Sequence, residues 1–130
     1  YEGIQCYVFD SAKDNLLPQD LRSSPGVLAN FYRYYNSETR HHFYTTSTRE
    51  LEGDMLAHGW NSEGVAGRIH IYPQSGMVPL RRYWNVRSLT HYYSTRWLKL
   101  KGGWSYDGIQ GYVSDKLVKG TVPLYRFYNP

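Results

Sequence analysis

The sequence predicts an α+β fold, in which short helices flank an antiparallel β-sheet and tandem β-β-α-β repeats are the building unit. Three observations favour this class. The pattern of residues 31–46 returns without a gap at residues 80–95, and repetition at a fixed period indicates a repeat fold. Each copy alternates aromatic and polar residues on both sides of a polar turn, as β-hairpins do. A helix-capping signal follows the first hairpin directly.

The hairpins are the first element of each copy. Four pairs of identical residues align them: Arg33 and Arg82, Asn36 and Asn85, His42 and His91, Tyr44 and Tyr93. In the first copy, residues 31–36 predict a strand, residues 37–40 a hairpin turn and residues 42–46 the return strand, because these segments are rich in aromatic and β-branched residues. Residues 124–130 repeat the opening of the pattern once more.

A helix is predicted after each hairpin. Ser47 and Glu50 match a capping box, in which the Ser47 hydroxyl accepts a hydrogen bond from the amide of Glu50 and the Glu50 side chain returns to the amide of Ser47. Apolar residues at helical spacing follow as far as Met55, and Gly59 ends the helix where a positive φ is required. The second copy leaves room for a shorter helix at residues 97–101.

The N-terminal residues have the pattern of the last strand of a copy. Residues 4–9 alternate as a strand does after an acidic residue and Gly3, and the same opening recurs at residues 63–69 and 107–113. We therefore expect the first and last strands to pair, so that the two ends of the chain meet in one sheet. The count is about eight strands, one at each end of the chain and three in each full copy.

The whole chain, residues 1–130, is predicted to be a single domain. Its copies are expected at residues 27–76, at residues 77–120, and in a split copy formed by residues 121–130 and 1–26. Residues 11–26 are rich in turn-forming residues and predict a surface connector with one short helical turn. Three related copies of this length also fit a β-trefoil, which stays open as the alternative fold.

Composition limits the classes of function. The formal net charge is +4 and the pI is about 9.2, but no run of like charges occurs, so nucleic acid is a weaker candidate partner than glycan. The single cysteine, Cys6, cannot form an intramolecular disulfide. No apolar run approaches the roughly 18 residues that span a membrane, so we expect no membrane insertion. A first residue other than Met suggests a mature form whose signal or pro-segment was removed, or a chosen boundary of the sequence, and we expect an extracellular protein.

Residues with catalytic or metal-binding chemistry recur in the sequence, but in the wrong arrangement for either role. His42 and His91 occupy matched positions without further ligands at zinc-site spacing, which favours framework histidines. Glu63 and Asp107 could in principle be the two carboxylates of a glycosidase, yet they are equivalent residues of separate copies. We therefore expect no enzyme, no cofactor and no metal.

The aromatic residues are the positive evidence for binding, with 14 Tyr and 4 Trp. Such rings can stack on the apolar face of a pyranose, and neighbouring polar side chains can bond its hydroxyls. Single sites of this kind bind near the millimolar range, about −4 kcal/mol, and repetition raises avidity. The candidate glycan-binding residues are His42, Tyr44, Trp60, Glu63, Trp84, His91, Tyr93, Trp104 and Asp107. Residues shared by the copies can equally hold the repeats together, so the differing positions Trp84, Trp97 and Tyr106 also deserve testing.

Three motifs together resemble a known family. They are Pro-Leu-Tyr-Arg-Phe-Tyr-Asn-Pro at residues 123–130, His-Phe-Tyr-Thr-Thr at residues 42–46, and the run from Gly-Trp to Gly-Tyr-Val at residues 103–113. The combination resembles a tandem repeat of secreted bacterial and fungal proteins that is classed as a domain of unknown function. More narrowly, it resembles the small secreted glycan-binding lectins of fungi, of the ink-cap mushroom type.

The resemblance implies more than the residues do by themselves. It implies an αβα sandwich, a homodimer formed through sheet edges, and recognition of GalNAc-containing glycans on cell-surface glycoproteins, of the LacdiNAc type and possibly fucosylated. It also implies a defensive or cytotoxic role. The shorter second helix, and Arg81 in place of Tyr32 and Tyr125, depart from the repeat and limit the expectation to two sites. The alternatives are a basic-surface binder of nucleic acid or sulfated glycan, and a glycan-degrading enzyme.

Overall fold

The computed structural model describes residues 3–9, 28–51 and 59–125. These residues form eight strands of one antiparallel sheet network, which confirms the predicted number. The strands are β1 (Ile4–Phe9), β2 (Leu28–Asn36), β3 (His41–Thr45), β4 (Trp60–His70), β5 (Val78–Asn85), β6 (Thr90–Ser94), β7 (Trp104–Val113) and β8 (Thr121–Tyr125).

Each full copy folds into the same three-stranded unit. β2 pairs with β3 through a tight turn and with β4 on its other side, and β5 pairs in the same way with β6 and β7. The repeated asparagine forms the turn, because Asn36 Oδ1 accepts hydrogen bonds from the backbone amides two and three residues later, at 2.9 and 3.2 Å. Asn85 repeats both bonds at 2.8 and 3.1 Å. The predicted turn at residues 37–40 is therefore confirmed.

The two ends of the chain form the remaining unit. β1 and β8 pair antiparallel, from Ile4 opposite Tyr125 to Phe9 opposite Thr121. The expectation that the first and last strands meet in one sheet is confirmed. The two strands complete this pairing within one chain, without a second copy of the protein.

Three equivalent strands, β1, β4 and β7, meet around a pseudo-threefold axis. The contacts pair Phe9 with Arg68, His70 with Tyr112, and Ser114 with Tyr7. Each contact joins the same two repeat positions, so the three contacts close a cycle in which every copy touches both others. The buried core beside this axis is formed by Cys6, Val8, Phe31, Ile69, Leu80 and Val113.

Two glycines permit the close approach of strands at the axis. A Cβ atom on Gly111 would lie 2.6 Å from the carbonyl oxygen of His70, and a Cβ atom on Gly67 would lie 3.0 Å from that of Phe9. Contacts this short leave no room for a side chain. The split copy has Cys6 at the equivalent position, and its side chain is buried in the core.

The structure overturns the predicted fold class. Its described residues are nearly all strand and turn, so the α+β fold with flanking helices, including the αβα sandwich, was wrong, and the β-trefoil alternative is not shown. The predicted second helix at residues 97–101 is an irregular segment between β6 and β7. Its backbone is bonded to the sheet instead, because the amide of Leu98 donates to the Tyr83 hydroxyl at 2.9 Å.

The predicted first helix is also wrong where it can be compared. The described part is a single 3-10 turn, Thr48–Leu51, and the predicted continuation through Met55 lies outside the described residues, as does the connector at residues 11–26. Gly59 has the positive φ expected of it, 87°. None of the helical structure in the described ranges is long and apolar enough to cross a membrane.

The capping box of Ser47 and Glu50 is not formed. The amide of Ser47 donates to Thr45 Oγ1 at 3.0 Å, so it does not need the Glu50 side chain. The Glu50 carboxylate instead accepts a hydrogen bond from Arg82 at 2.6 Å. A charged guanidinium that is buried requires a carboxylate partner, and this demand outweighs a local cap.

Candidate functional site

Each full copy carries an equivalent group of polar and aromatic side chains. The first cluster consists of Arg33, Tyr35, His42, Tyr44 and Glu63, and the second cluster of Arg82, Trp84, His91, Tyr93 and Asp107. In both, the arginine lies opposite the tyrosine of the neighbouring strand and the ring two residues later lies opposite the histidine. Directly opposed residues project from the same face of a sheet, so each cluster is assembled on one face of its hairpin.

The first cluster is open to solvent. Oε1 of Glu63 lies 3.0 Å from Nε2 of His42 and 3.1 Å from Nε of Arg33. The Arg33 contact is an ion pair without the alignment of a hydrogen bond. The side chains of Arg33 and His42 are 41% and 44% exposed, and the Tyr35 ring lies 4.9 Å from the imidazole. A charged fork, an imidazole and a carboxylate are therefore accessible together.

The second cluster is covered by residues of the first copy. Arg82, whose side chain is 5% exposed, donates from Nε to Asp107 and from Nη2 to Glu50, each at 2.6 Å. Its Nη1 donates to the carbonyl oxygen of Tyr44 at 3.2 Å, and its guanidinium lies 4.6 Å from the centre of the Phe43 ring. Glu50, Tyr44 and Phe43 all belong to the first copy, so that copy closes the site.

Burial of the second cluster changes its protonation. Burial acts to raise the pKa of Glu50, but hydrogen bonds from Arg82 and Thr45 outweigh it, and the net pKa lies below the ordinary value. Burial and the charge of Arg82 lower the pKa of His91 to about 4. The His91 ring also meets the edge of Phe43, with centroids 4.7 Å apart. His91 is therefore a neutral imidazole at pH 7.

Two of the predicted binding residues join the copies. The hydroxyl of Tyr93 accepts from the amide of Tyr44 at 2.7 Å and donates to the carbonyl oxygen of the same residue at 2.9 Å. Burial raises the pKa of both tyrosines, so both hydroxyls stay protonated. The Tyr44 ring stacks on the buried Phe31, 5.4 Å between centroids. This pair ties β6 to β3.

Three predicted tryptophans are half-buried, and each packs against a ring of its surroundings. The ring pairs are Trp60 with Phe43 at 5.8 Å, Trp84 with His91 at 4.6 Å, and Trp104 with Tyr92 at 6.2 Å. Of the other predicted residues, the structure brings His42 to Glu63 and places His91 3.9 Å from Asp107. The nine predicted residues therefore form one group in each copy, and the bonds between Tyr93 and Tyr44 join the two groups.

A third surface, which we name the Trp97 surface, consists of Arg81, Trp97 and Tyr106. The Trp97 ring is 57% exposed and meets the Tyr106 ring at 4.8 Å, while the Arg81 guanidinium lies 5.3 Å from its centre. The sequence marked the two aromatic residues as positions where the copies differ, and Arg81 as a departure from the repeated tyrosine. These differences between the copies pointed to the three residues, but they did not predict that the residues contact one another.

Sequence reasoning missed the residues that close the second cluster. Glu50 was assigned to a helix cap and Phe43 to a strand, and neither was connected with Arg82, which follows Glu50 by 32 positions. The periodic pattern records what the copies share but not which copy covers the other. Among the residues in the described ranges, no three His, Cys, Asp or Glu side chains group as metal ligands. The first cluster and the Trp97 surface offer hydrogen bonding, charge and ring stacking.

These features define a pseudosymmetric repeat protein whose described residues are nearly all strand and turn, with one open and one covered copy of the same polar cluster. The chain belongs to the family of DUF5648, a domain of unknown function, whose family model matches residues 1–98 and residues 30–130. The resemblance to a family of unknown function is confirmed at that level. Neither a curated protein nor a solved structure matches the chain.

Proposed function

We propose that this protein is a lectin that binds cell-surface glycans. The observation that carries the proposal is the Trp97 surface. Tryptophan is a highly buried residue on average, yet the Trp97 ring is 57% exposed. The contacts with Tyr106 and Arg81 fix its orientation, so little conformational freedom is lost when a ligand stacks on it. A flat, oriented indole suits the apolar face of a pyranose.

The first cluster supplies polar recognition in the other copy. Arg33 offers a guanidinium, His42 an imidazole and Glu63 a carboxylate, and all three side chains are partly exposed. Hydroxyl groups of a sugar need such a mixture, and two surfaces on one chain raise avidity through effective concentration. In this proposal His42 and Glu63 keep their predicted role as binding residues, whereas His91 and Asp107 serve the framework around Arg82.

The finer parts of the proposal rest on the resemblance to secreted fungal lectins. They are GalNAc-containing ligands of the LacdiNAc type, secretion, a defensive or cytotoxic role, and a homodimer formed through sheet edges. Among the strands of the described ranges, β3, β6 and β8 each have one neighbour in the sheet, so each has an edge that a second chain can pair with. Sedimentation of the purified protein tests the dimer.

A printed glycan array at low and high salt tests the function. We expect retention on a narrow group of neutral, GalNAc-terminated glycans that changes little with salt, because stacking and hydroxyl bonding release no counterions. Signal restricted to sulfated glycans or single-stranded nucleic acid, and lost at high salt, would contradict the lectin proposal and favour a basic-surface binder.

A matched pair of variants assigns the binding to the Trp97 surface. Trp97→Ala should weaken glycan binding at least about tenfold, as removal of a central aromatic anchor does. Tyr72→Ala is the control, because Tyr72 is an aromatic residue of comparable exposure, 62%, outside this surface. Unchanged binding in the Trp97 variant, or equal loss in both variants, would remove the surface from the proposal.

The enzyme alternative is tested on the same ligands. Glu63 and Asp107 would be its two carboxylates, but each is engaged by the arginine of its own copy. We expect no release of reducing ends from a bound LacdiNAc glycan. Release that Glu63→Gln or Asp107→Asn abolishes would replace the lectin proposal by a glycosidase.

A further inference from the structure

We propose that the first cluster is a binding site for sugar acids, in which Arg33 holds the carboxylate of the ligand. The inference rests on the proposed function in one respect, namely that the ligand is a carbohydrate. It goes beyond that function by naming sugar acids as the class of ligand and Arg33 as the residue that binds their carboxylate. The second cluster shows which groups the same arrangement of residues binds when it is covered.

In the second cluster one guanidinium holds two carboxylates. Asp107, from the same copy, accepts from Nε of Arg82, while Glu50, from the first copy, accepts from Nη1 and Nη2 at 3.2 and 2.6 Å. The second contact is the two-pronged arrangement in which a guanidinium fork matches a carboxylate. The site is complete only with this second carboxylate, because the buried Arg82 has no access to water that could replace it.

The first cluster has the first of these carboxylates and lacks the second. Glu63 lies at Nε of Arg33, as Asp107 lies at Nε of Arg82, although only the Asp107 contact has the alignment of a hydrogen bond. No residue in the described ranges supplies a counterpart of Glu50 to Arg33. The Arg33 side chain is 41% exposed, so a ligand can reach its guanidinium.

The negative charge of Glu63 does not exclude this ligand. Arg82 accommodates Asp107 and Glu50 together, so one guanidinium in this geometry binds two carboxylates. His42 Nε2, which lies 3.0 Å from Oε1 of Glu63, gives that carboxylate a second partner besides Arg33. The first cluster can therefore bind the carboxylate of a ligand without displacing Glu63.

The surroundings favour a sugar acid over a simple acid. In the second cluster the Glu50 carboxylate is accompanied by an apolar surface, the Phe43 ring, whose centre lies 4.6 Å from the Arg82 guanidinium. A pyranose that bears a carboxylate combines the same two features in one small molecule. The first cluster is also the more polar of the two, with a tyrosine hydroxyl at Tyr35 where the second has Trp84, which suits a ligand rich in hydroxyl groups.

Glucuronate and glucose are the matched probes, because they share ring stereochemistry and differ by the carboxylate at the sixth carbon. Titrations followed by calorimetry, and by NMR of the Arg33 Nε–H and the His42 ring, should show glucuronate binding at least about tenfold more tightly than glucose. Arg33→Gln should weaken glucuronate binding by a similar factor. Arg33→Lys keeps the charge but loses the fork, so a smaller loss is expected.

Arg87→Gln is the control for general electrostatic attraction, because Arg87 lies in the exposed turn of the second hairpin and its removal changes the net charge equally. It should leave glucuronate affinity unchanged. Equal affinity for the two probes, or equal loss in the Arg33 and Arg87 variants, would overturn the inference. If neutral glycans still bind through Trp97 after such a result, the lectin proposal stands and only the sugar-acid site is wrong. If no sugar binds at all, both proposals are wrong.

A protein segment is the competing source of the carboxylate. A synthetic peptide with the sequence of residues 43–50 contains both the phenylalanine and the glutamate that cover Arg82. We expect glucuronate to displace no such peptide, because the peptide should not bind at Arg33. Peptide binding that is tighter than glucuronate binding and is lost in Arg33→Gln would show a protein cover for this site and overturn the sugar-acid proposal.

Discussion

The two repeat copies place the same residues in opposite environments. Arg33 in the first cluster is 41% exposed with one carboxylate, whereas Arg82 in the second is 5% exposed with two. The cluster residues themselves do not cause this difference. It arises because the first copy covers the second with Phe43 and Glu50. In a repeat protein, a residue's role therefore depends on its neighbour in the assembly as much as on its own position.

The comparison also separates two uses of an arginine. The charge of a buried guanidinium must be balanced by carboxylates. Arg82 therefore connects the two copies, because one of its carboxylates comes from each copy. An exposed guanidinium needs no such compensation, because water solvates it, and it can exchange water for a ligand. The same side chain thus supports structure in one copy and offers recognition in the other.

The largest difference in stability is expected when the buried arginine is replaced. Arg82→Gln should lower the free energy of unfolding by about 3 kcal/mol or more, because Glu50 and Asp107 lose their common partner. Arg33→Gln, the same change in the open copy, should cost less than about 1 kcal/mol. Denaturant unfolding of both variants measures the difference. Equal losses would show that the two clusters are not energetically distinct.

The sequence predicted what the repeat itself determines. The hairpin turn at residues 37–40 and the pairing of β1 with β8 follow from the repeated pattern, and both were found. The prediction of a helix after the first hairpin was wrong because the Glu50 side chain, which was expected to cap it, binds Arg82, a residue distant in sequence. Which cluster is open could not be predicted, since the two have nearly the same residues and differ in how the copies pack around the axis.

A fall in pH should first lower the free energy of unfolding through the second cluster, which is the covered one. The pKa of His91 is lowered from 6.5 to about 4, so the unfolded state binds more protons between these values and stability falls as the pH falls through that window. The expected loss is on the order of 2–3 kcal/mol, complete near pH 4. Protonation of Glu50, whose folded pKa also lies below its ordinary value, adds to the loss at lower pH.

Unfolding measured between pH 7 and pH 4 tests this, with the slope against pH as the readout. His91→Gln removes the titrating group and should flatten the curve over that window. His42→Gln changes the equivalent residue in the open cluster, keeps His91, and should keep the slope. An unchanged slope in the His91 variant would assign the acid sensitivity to another group.

A smaller contrast is expected for the equivalent tyrosines. Tyr93→Phe removes a hydroxyl that bonds both the amide and the carbonyl group of Tyr44, so the expected cost is about 1–2 kcal/mol. Tyr44→Phe removes a hydroxyl that contacts the exposed Arg33, and the expected cost is below about 1 kcal/mol. Thermal or denaturant unfolding ranks the two. The reverse order would mean that Tyr93 does not tie the copies together.

The smallest effect concerns the open ion pair. A double-mutant cycle on Arg33 and Glu63 should give a coupling of about 0.5 kcal/mol, which falls as salt is added, because both groups are accessible to ions. The corresponding cycle on Arg82 and Asp107 should give a larger coupling that salt changes less, because Arg82 is buried. A weakly coupled Arg33 is free to bind a ligand carboxylate. A coupling at Arg33 as strong and salt-resistant as that at Arg82 would show that the open cluster is locked by its own carboxylate.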